Sequence, residues 1–342
     1  MLNFATIFDS NYLSRGLAMY NSLVMFCPSA KLFIICLDDS LFTYLILKNH
    51  PNITPISLKD VEIKYEELGL IKQSRSYVEY IFTLSPFIAL YILEKFPEIN
   101  LITTLDADIL FFSDPSVLFN DIESFSIAIT PHRFNKYINF LEKYGKYNVS
   151  FQSFKNDNIG ISCLTKWKSD CINWCFDRYE NERFADQKYL DEWPTLYSSL
   201  KEFPYGAGVA PWNIRDKDVS LDDNGQILFK NESLVYFHFH GLRNIYSDMY
   251  SLGLYEYGVI RRKKIIKYIY LNYIEYLSKV KNDFPQNQII RGMHSGLGRF
   301  IFTFFLADLY YYRKRQLMHI YNMNIFRSIF IYFKKSFNIC LK

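Results

Sequence analysis

Short apolar runs alternate along the chain with stretches of helical spacing. Phe4–Asp9 is such a run and ends in the polar loop Asp9-Ser10-Asn11-Tyr12, which reads as a strand and its exit. Leu13–Phe26 follows with apolar residues at 13, 17, 20, 23 and 24, the stripe of an amphipathic helix. Lys31–Leu37 predicts a second strand, closed by Asp38-Asp39, and Ile53–Ile56 a third. Strand, helix, strand in this order argues for a parallel sheet with helices on its faces, where ligands sit at the carboxyl ends of the strands. Tyr77–Lys95 predicts a long helix, with Pro86 kinking or breaking it near Ser85. Leu101–Leu105, Phe125–Thr130 and Leu234–Phe239 read as further strands, and Lys136–Tyr144 and Lys166–Arg183 as helices. Between Phe154 and Leu164 a polar cluster meets an apolar strand, with Gly160 allowing close backbone approach.

One interruption of this pattern points to chemistry. After Leu101–Leu105, Asp106 and Asp108 stand inside an otherwise apolar stretch that resumes at Ile109–Phe112 and stops at Ser113-Asp114-Pro115. Two carboxylates in a dry stretch are costly unless a cation or hydrogen bonds offset their desolvation. Side chains two apart at a strand end point the same way, so the pair offers two hard oxygen ligands to one Mg²⁺ or Mn²⁺. His238 and His240 alternate with apolar residues at the end of another strand, followed by Gly241. Two histidines on one face there shift the balance from core packing toward a metal or phosphate site.

The 342 residues allow one large α/β domain or a domain with an appendage, and 50% hydrophobic residues can fill a substantial core. No Gly/Ser-rich linker, low-complexity tract or solenoid-spaced repeat divides the chain. Met1–Asp9 lacks the basic and long apolar regions of a signal peptide. The six cysteines include Cys171 and Cys175 four apart on a predicted helix, with no second pair at zinc spacing; buried thiols in a reducing compartment are expected. The net charge of +4 hides an asymmetry: residues 1–258 carry −9 and residues 259–342 carry +13. Two regions are expected, a body over 1–258 and a basic, aromatic-rich helical region over 259–342.

Taken together, these segments resemble the GT-A-fold, nucleotide-sugar-dependent glycosyltransferases, in particular the retaining type that includes glycogenin and bacterial lipopolysaccharide galactosyltransferases. Five motifs in order, from about Phe4 to Asn244, carry the resemblance. It implies a Rossmann-like, mixed, mostly parallel sheet flanked by helices. It implies that Asp9, Asn11 and Tyr12 hold the nucleoside, and that Asp106-Ala-Asp108 is the metal-binding Asp-x-Asp. Asn158-Ile-Gly160 resembles the Asn-x-Gly step whose Asn touches the donor sugar. Asp186-Gln187 resembles the Asp-Gln pair beside the anomeric carbon, whereas from the residues alone Asp186 reads as a helix cap and Gln187 as a surface residue. His238-Phe-His-Gly241 resembles the His-x-x-Gly motif whose first His is the third metal ligand, with His240 the second choice. Two departures stand out. Asn244 occupies the position of the family's diphosphate-gripping Lys, with Arg243 beside it, and the family's donor-binding Arg has no match in Tyr77–Pro86, although Arg75 lies nearby. Diphosphate contacts are then expected from Arg243, or from His132 and Arg133.

The resemblance implies transfer of a sugar from a nucleotide-diphosphate sugar, UDP by preference, with Mn²⁺ or Mg²⁺, to a glycan or lipid-linked acceptor in bacterial surface polysaccharide or lipopolysaccharide synthesis, with retention. The competing reading is a non-catalytic sugar-nucleotide- or glycan-binding protein with a GT-A-like fold, kept open by Asn244. A phosphatase with Asp106 as nucleophile is disfavoured, because Ile109-Leu110-Phe111 replaces the expected Gly-Thr or Thr/Val turn.

Residues 291–342 hold nine Lys and Arg against the single acid Asp308, interleaved with aromatic clusters. Asp308, Arg313 and Arg327 interrupt every candidate for a membrane span, and no nucleic-acid-binding module is visible. A helical pair closing the domain and a segment lying on anionic lipid are the two readings, the latter suiting a cytoplasmic enzyme peripheral at the inner face of the plasma membrane.

Overall fold

A computed structural model describes residues 1–246, 249–281, 309–313 and 316–319. The chain begins with β1 (Asn3–Phe8), α1 (Leu13–Phe26), β2 (Lys31–Cys36), α2 (Asp39–Lys48) and β3 (Ile53–Ser57). Three helices follow, α3 (Leu58–Lys64), α4 (Glu67–Ser74) and α5 (Tyr77–Lys95), then β4 (Leu101–Leu105), β5 (Ile109–Phe111), β6 (Ile127–Pro131) and β7 (Tyr147–Lys155). Next come α6 (Asn158–Asn173), α7 (Trp193–Leu196), β8 (Leu200–Glu202), β9 (Val219–Leu221), β10 (Ile227–Phe229), β11 (Glu232–Ser233) and β12 (Tyr236–His238). The last elements are β13 (Arg243–Tyr246), β14 (Met249–Ser251), α8 (Lys263–Ile265), α9 (Leu271–Lys281), β15 (Leu309–Arg313) and β16 (Gln316–His319).

Seven strands form the central sheet in the order β3-β2-β1-β4-β7-β6-β8. All neighbours are parallel except β7, which runs against both β4 and β6. This is the mixed, mostly parallel, helix-flanked Rossmann-like sheet expected from the sequence. Strands such as Leu101–Leu105 are buried along their whole length because helices cover both faces. α1 begins and ends where its apolar stripe does, and it buries Leu13, Leu17, Tyr20 and Leu23.

Helix α5 shows tertiary packing overriding local preference. A proline inside a helix costs about 3 kcal/mol, yet α5 runs through Pro86 without the expected break. Ser76 and Glu79 close its N-terminus as a capping box, and eleven of its residues, Pro86 among them, are buried. It is the one described helix long and apolar enough to cross a membrane, and 61% of that stretch is buried inside the protein.

The stretch after Asp157 corrects a second expectation: Asn158–Leu164 is the start of a helix, not a strand. Asp157 accepts hydrogen bonds from the Ile159 and Gly160 amides and so caps α6. Gly160 does allow a close approach, since a Cβ there would lie 2.2 Å from the Lys155 carbonyl oxygen. Lys136–Tyr144 forms helix only over Asn139–Tyr144, as a 3₁₀ turn.

Residues 259–281 pack as part of the body. Val259, Ile265, Ile269, Tyr270, Tyr273 and Ile274 join Leu110, Phe237 and Phe239 in one buried cluster. The region expected to be helical also contains strands: Leu309–Arg313 pairs antiparallel with β14 and with β16, completing a four-stranded sheet. The aromatic-rich sequence Leu-Tyr-Tyr-Tyr-Arg favours a strand where the β13–β14 hairpin offers an unpaired edge. The rest of the basic segment 291–342, with its expected membrane contact, lies outside the described residues. The five described cysteines, at 27, 36, 163, 171 and 175, are free and buried.

Candidate functional site

The carboxyl end of β4 carries the candidate centre. The Asp106 amide donates to the Ser150 carbonyl, the last rung between β4 and the β7 side of the sheet. The chain then turns into β5, which pairs antiparallel with β12, setting His238 opposite Ile109. The Phe239 amide donates to the Asp108 carbonyl and locks this register. As a result His238 Nε2 lies 3.1 Å from Asp108 Oδ1 and 3.5 Å from Asp106 Oδ2.

These three side chains converge well enough to hold one metal ion, with their ligand atoms all within 4.8 Å of one another. The donor set of two carboxylates and one imidazole suits a divalent ion and leaves coordination positions for a ligand. His238 Nδ1 is buried and lacks a hydrogen-bond partner among the described residues. His240 stands outside this group: its ring centroid is 5.7 Å from that of His238, and the residue is exposed.

The electrostatics are those of a cation site. Removal from water, together with the Asp108 and Asp186 carboxylates, pushes Asp106 up against the opposing pull of His238. Burial also works against a charged Asp108, but His238, through its charge and hydrogen bond, and then Arg15 hold that carboxyl below the usual range. Burial disfavours a charged His238, and Asp108 and Asp106 outweigh it, so the imidazole is raised.

The β1–α1 loop forms the neighbouring wall. Asp9 caps the turn, accepting from the Asn11 amide and side chain, and it also accepts from the Tyr77 hydroxyl at 3.0 Å. Asn11 and Tyr12 are exposed. Tyr12 feels the charges of both Asp106 and Asp108, so the loop lies beside the carboxylate pair.

Asp186 is 2% exposed, and its carboxylate accepts from the Ser85 hydroxyl at 2.5 Å. It makes no helix-cap hydrogen bond, and its charge reaches Asp106. Gln187 donates to the Tyr144 carbonyl at 3.0 Å. Burial pushes Asp186 up to about 6 from 3.8, a penalty on the charged form of about 3 kcal/mol. In the window between those values the native state holds more protons than the unfolded one, so stability falls as pH rises. Asp186→Asn is therefore expected to leave stability unchanged near pH 3.5 and to raise it by about 2–3 kcal/mol above pH 7. Urea unfolding of both proteins at the two pH values measures the difference; equal gains at both would contradict a buried carboxylate.

The structure does not bring Asn158 to this cleft. Leu101 pairs with Lys155 and Leu105 with Phe151, so the start of α6 lies at the amino end of β4, the far end from Asp106. Its neighbour Asn156 donates to carbonyls there, at Ile99 and Asn100. Gly160 lies at that end too. The asparagine at the near end of β7 is Asn148, 3% exposed, which donates to the Thr130 carbonyl and accepts from the Ser150 amide. In the sequence it is only an Asn-Val-Ser step, which falls near the start of β7. Arg133 is directed elsewhere as well: its guanidinium donates to the Phe203 and Pro204 carbonyls and stacks on Tyr205. His132 is buried, stacked on Phe134 and edge-on to Trp212, and burial with the nearby His238 lowers it to about 3. It is neutral and cannot serve as a cation. Arg75 stacks on Phe176 and donates to the Ile172 carbonyl. Arg243 is exposed on β13, and its charge acts on His240.

No protein-family model matches the chain. The chain is 27% identical to the uncharacterized protein YfnD of Bacillus subtilis (strain 168) over 293 residues, 83% of this chain and 92% of that protein. The structure of the galactosyltransferase LgtC with donor and acceptor sugar analogs covers 81% of this chain and 96% of its own, at 11% identity and a TM-score of 0.49. The glycosyltransferase GlyE of Streptococcus pneumoniae TIGR4 covers 82% of this chain and 62% of its own, at 14% identity and a TM-score of 0.47. The seven-stranded mixed sheet, with an Asp-x-Asp turn at the end of its central strand β4, is the architecture that the GT-A resemblance implies.

Proposed function

We propose that this chain is a metal-dependent glycosyltransferase that moves a sugar from a nucleotide-diphosphate sugar to a glycan or lipid-linked acceptor. The observation that carries this reading is the convergence of Asp106, Asp108 and His238 at the carboxyl end of β4, beside the Asp9–Tyr12 loop. Ligands of open α/β sheets lie at such strand ends. Asp106, Asp108 and His238 would hold Mn²⁺ or Mg²⁺, which supplies Lewis-acid stabilisation of a departing diphosphate. Asp9, Asn11 and Tyr12 would take the nucleoside of the donor, uridine by resemblance. Gln187 would orient the anomeric centre, with buried Asp186 beneath it. Retention of configuration and a role in surface polysaccharide synthesis at the cytoplasmic membrane face follow from the same resemblance.

Thermal shift with a panel of nucleotide sugars, with and without Mn²⁺, tests the reading. A ligand at about 100 times its dissociation constant stabilises by about 2.7 kcal/mol, a shift of several degrees for a chain of this size. Selective stabilisation by one UDP-sugar in Mn²⁺, followed by release of its sugar to water or acceptor, is expected. Selective binding without any turnover would favour the non-catalytic sugar-nucleotide-binding reading, which Asn244 keeps open.

A further inference from the structure

We propose that Arg15 is the residue that grips the donor's diphosphate, in place of the lysine that Asn244 replaces. The inference rests on the glycosyltransferase reading and deepens it. Arg15 lies in the first turn of α1, just past the loop assigned to the nucleoside. Its guanidinium carbon stands 4.6 Å from the centre of the Tyr12 ring. Its Nη2 donates to the Leu242 carbonyl at 2.8 Å. Leu242 follows Gly241, the positive-φ turn (φ 80°) that ends the His238-Phe-His-Gly segment. Arg15 thus ties the nucleoside loop to the metal-ligand loop. A nucleoside diphosphate is connected in that same order, its diphosphate between nucleoside and metal, so its phosphates must cross the gap that Arg15 spans.

Charge points the same way. Two ligand carboxylates neutralise a divalent ion and leave the diphosphate's own charge to be matched. His132 is neutral, and Arg133 and Arg75 are engaged on carbonyls away from the cleft. Arg15 is the permanent cation whose charge acts on Asp108, and among the described residues no carboxylate forms an ion pair with it. The Leu242 carbonyl and the Tyr12 hydroxyl engage part of its five N–H donors, and a planar fork with donors to spare matches phosphate oxygens. The Tyr273 hydroxyl, contributed by α9, is buried in electrostatic contact with Arg15 and lacks a hydrogen-bond partner among the described residues. It adds a further polar group at this spot. Arg243, exposed on the adjacent strand, supplies a second positive charge.

Titration of the full-length chain in Mn²⁺ with UDP and, separately, with uridine tests the proposal. Arg15→Gln removes the charge and keeps a shorter polar side chain. It is expected to weaken UDP binding about 10–100-fold, as for loss of charge-assisted hydrogen bonds, and to leave uridine binding unchanged. Arg15→Lys is expected to recover a substantial part of the UDP affinity. Unchanged UDP affinity in Arg15→Gln, or equal losses for UDP and uridine in both variants, would overturn the role of Arg15. Should Arg15→Gln fail to fold, the equally uncharged Arg15→Met decides in its place: a loss for UDP alone supports the proposal, and parallel losses or none overturn it. Failure of the wild-type chain to bind UDP at all would instead strike the glycosyltransferase reading.

Discussion

Asp108→Ala is expected to lower sugar transfer on the order of 10³-fold, the scale seen when a group that stabilises transition-state charge is removed, while the protein stays folded. Asp108 sits at the meeting point of the site. Its carboxylate lies 3.1 Å from His238 Nε2 and within the field of Arg15. Its main chain is independently anchored, because the Asp108 carbonyl accepts from the Phe239 amide. The side chain can therefore be removed without unpairing β5 from β12. Relief of repulsion on Asp106 offsets part of the lost His238 contact, so the melting temperature should change little. Initial rates in saturating Mn²⁺ and donor, with circular dichroism of both proteins, measure the effect. Turnover within tenfold of wild type would remove Asp108 from the reaction.

The legible and the illegible parts of this chain differ for physical reasons. Asp106 and Asp108 could be read because charged groups are rare inside an apolar strand, and His238 because it alternates with phenylalanines. α1, β1 and β2 were legible from periodicity alone. Asn158 misled because an Asn-x-Gly step has two physical uses, a sugar contact or the first turn of a capped helix. Asp157, one residue earlier, was the sign of the second. Arg133 and Arg243 looked equivalent in sequence, and only tertiary structure shows Arg133 spent on the Phe203 and Pro204 carbonyls. Arg15 carried no signal, since one arginine on an amphipathic helix reads as part of its solvated face. The strand Leu309–Arg313 falls in a segment read as a helical pair or a lipid-facing stretch, because its edge partner, Met249–Ser251, lies about 60 residues away in sequence, and pairing over such distances leaves no local periodicity of its own.

The two histidines of one short segment should behave very differently. His238→Ala is expected to weaken Mn²⁺ binding in the presence of UDP by on the order of 100-fold, and His240→Ala by less than about threefold, given that even outer-shell partners of a metal are worth about 10–100-fold. The imidazole of His238 is directed at both carboxylates by the β5–β12 register, with Nε2 at 3.1 and 3.5 Å. It packs in a T-shaped arrangement with Trp212, whose ring centroid is 5.4 Å away. His240 lies beyond the end of β12, exposed, with its ring against Trp212 and Tyr257 at 5.5 and 6.0 Å. Its loss removes packing at the rim and no member of the converging group. Both variants keep the backbone pairing that positions Asp108, so each reports on a side chain alone. Calorimetric titration of Mn²⁺ into each protein with saturating UDP gives the two ratios. The reverse order would transfer the third ligand to His240 and require the turn at Gly241 to rotate when the ion binds.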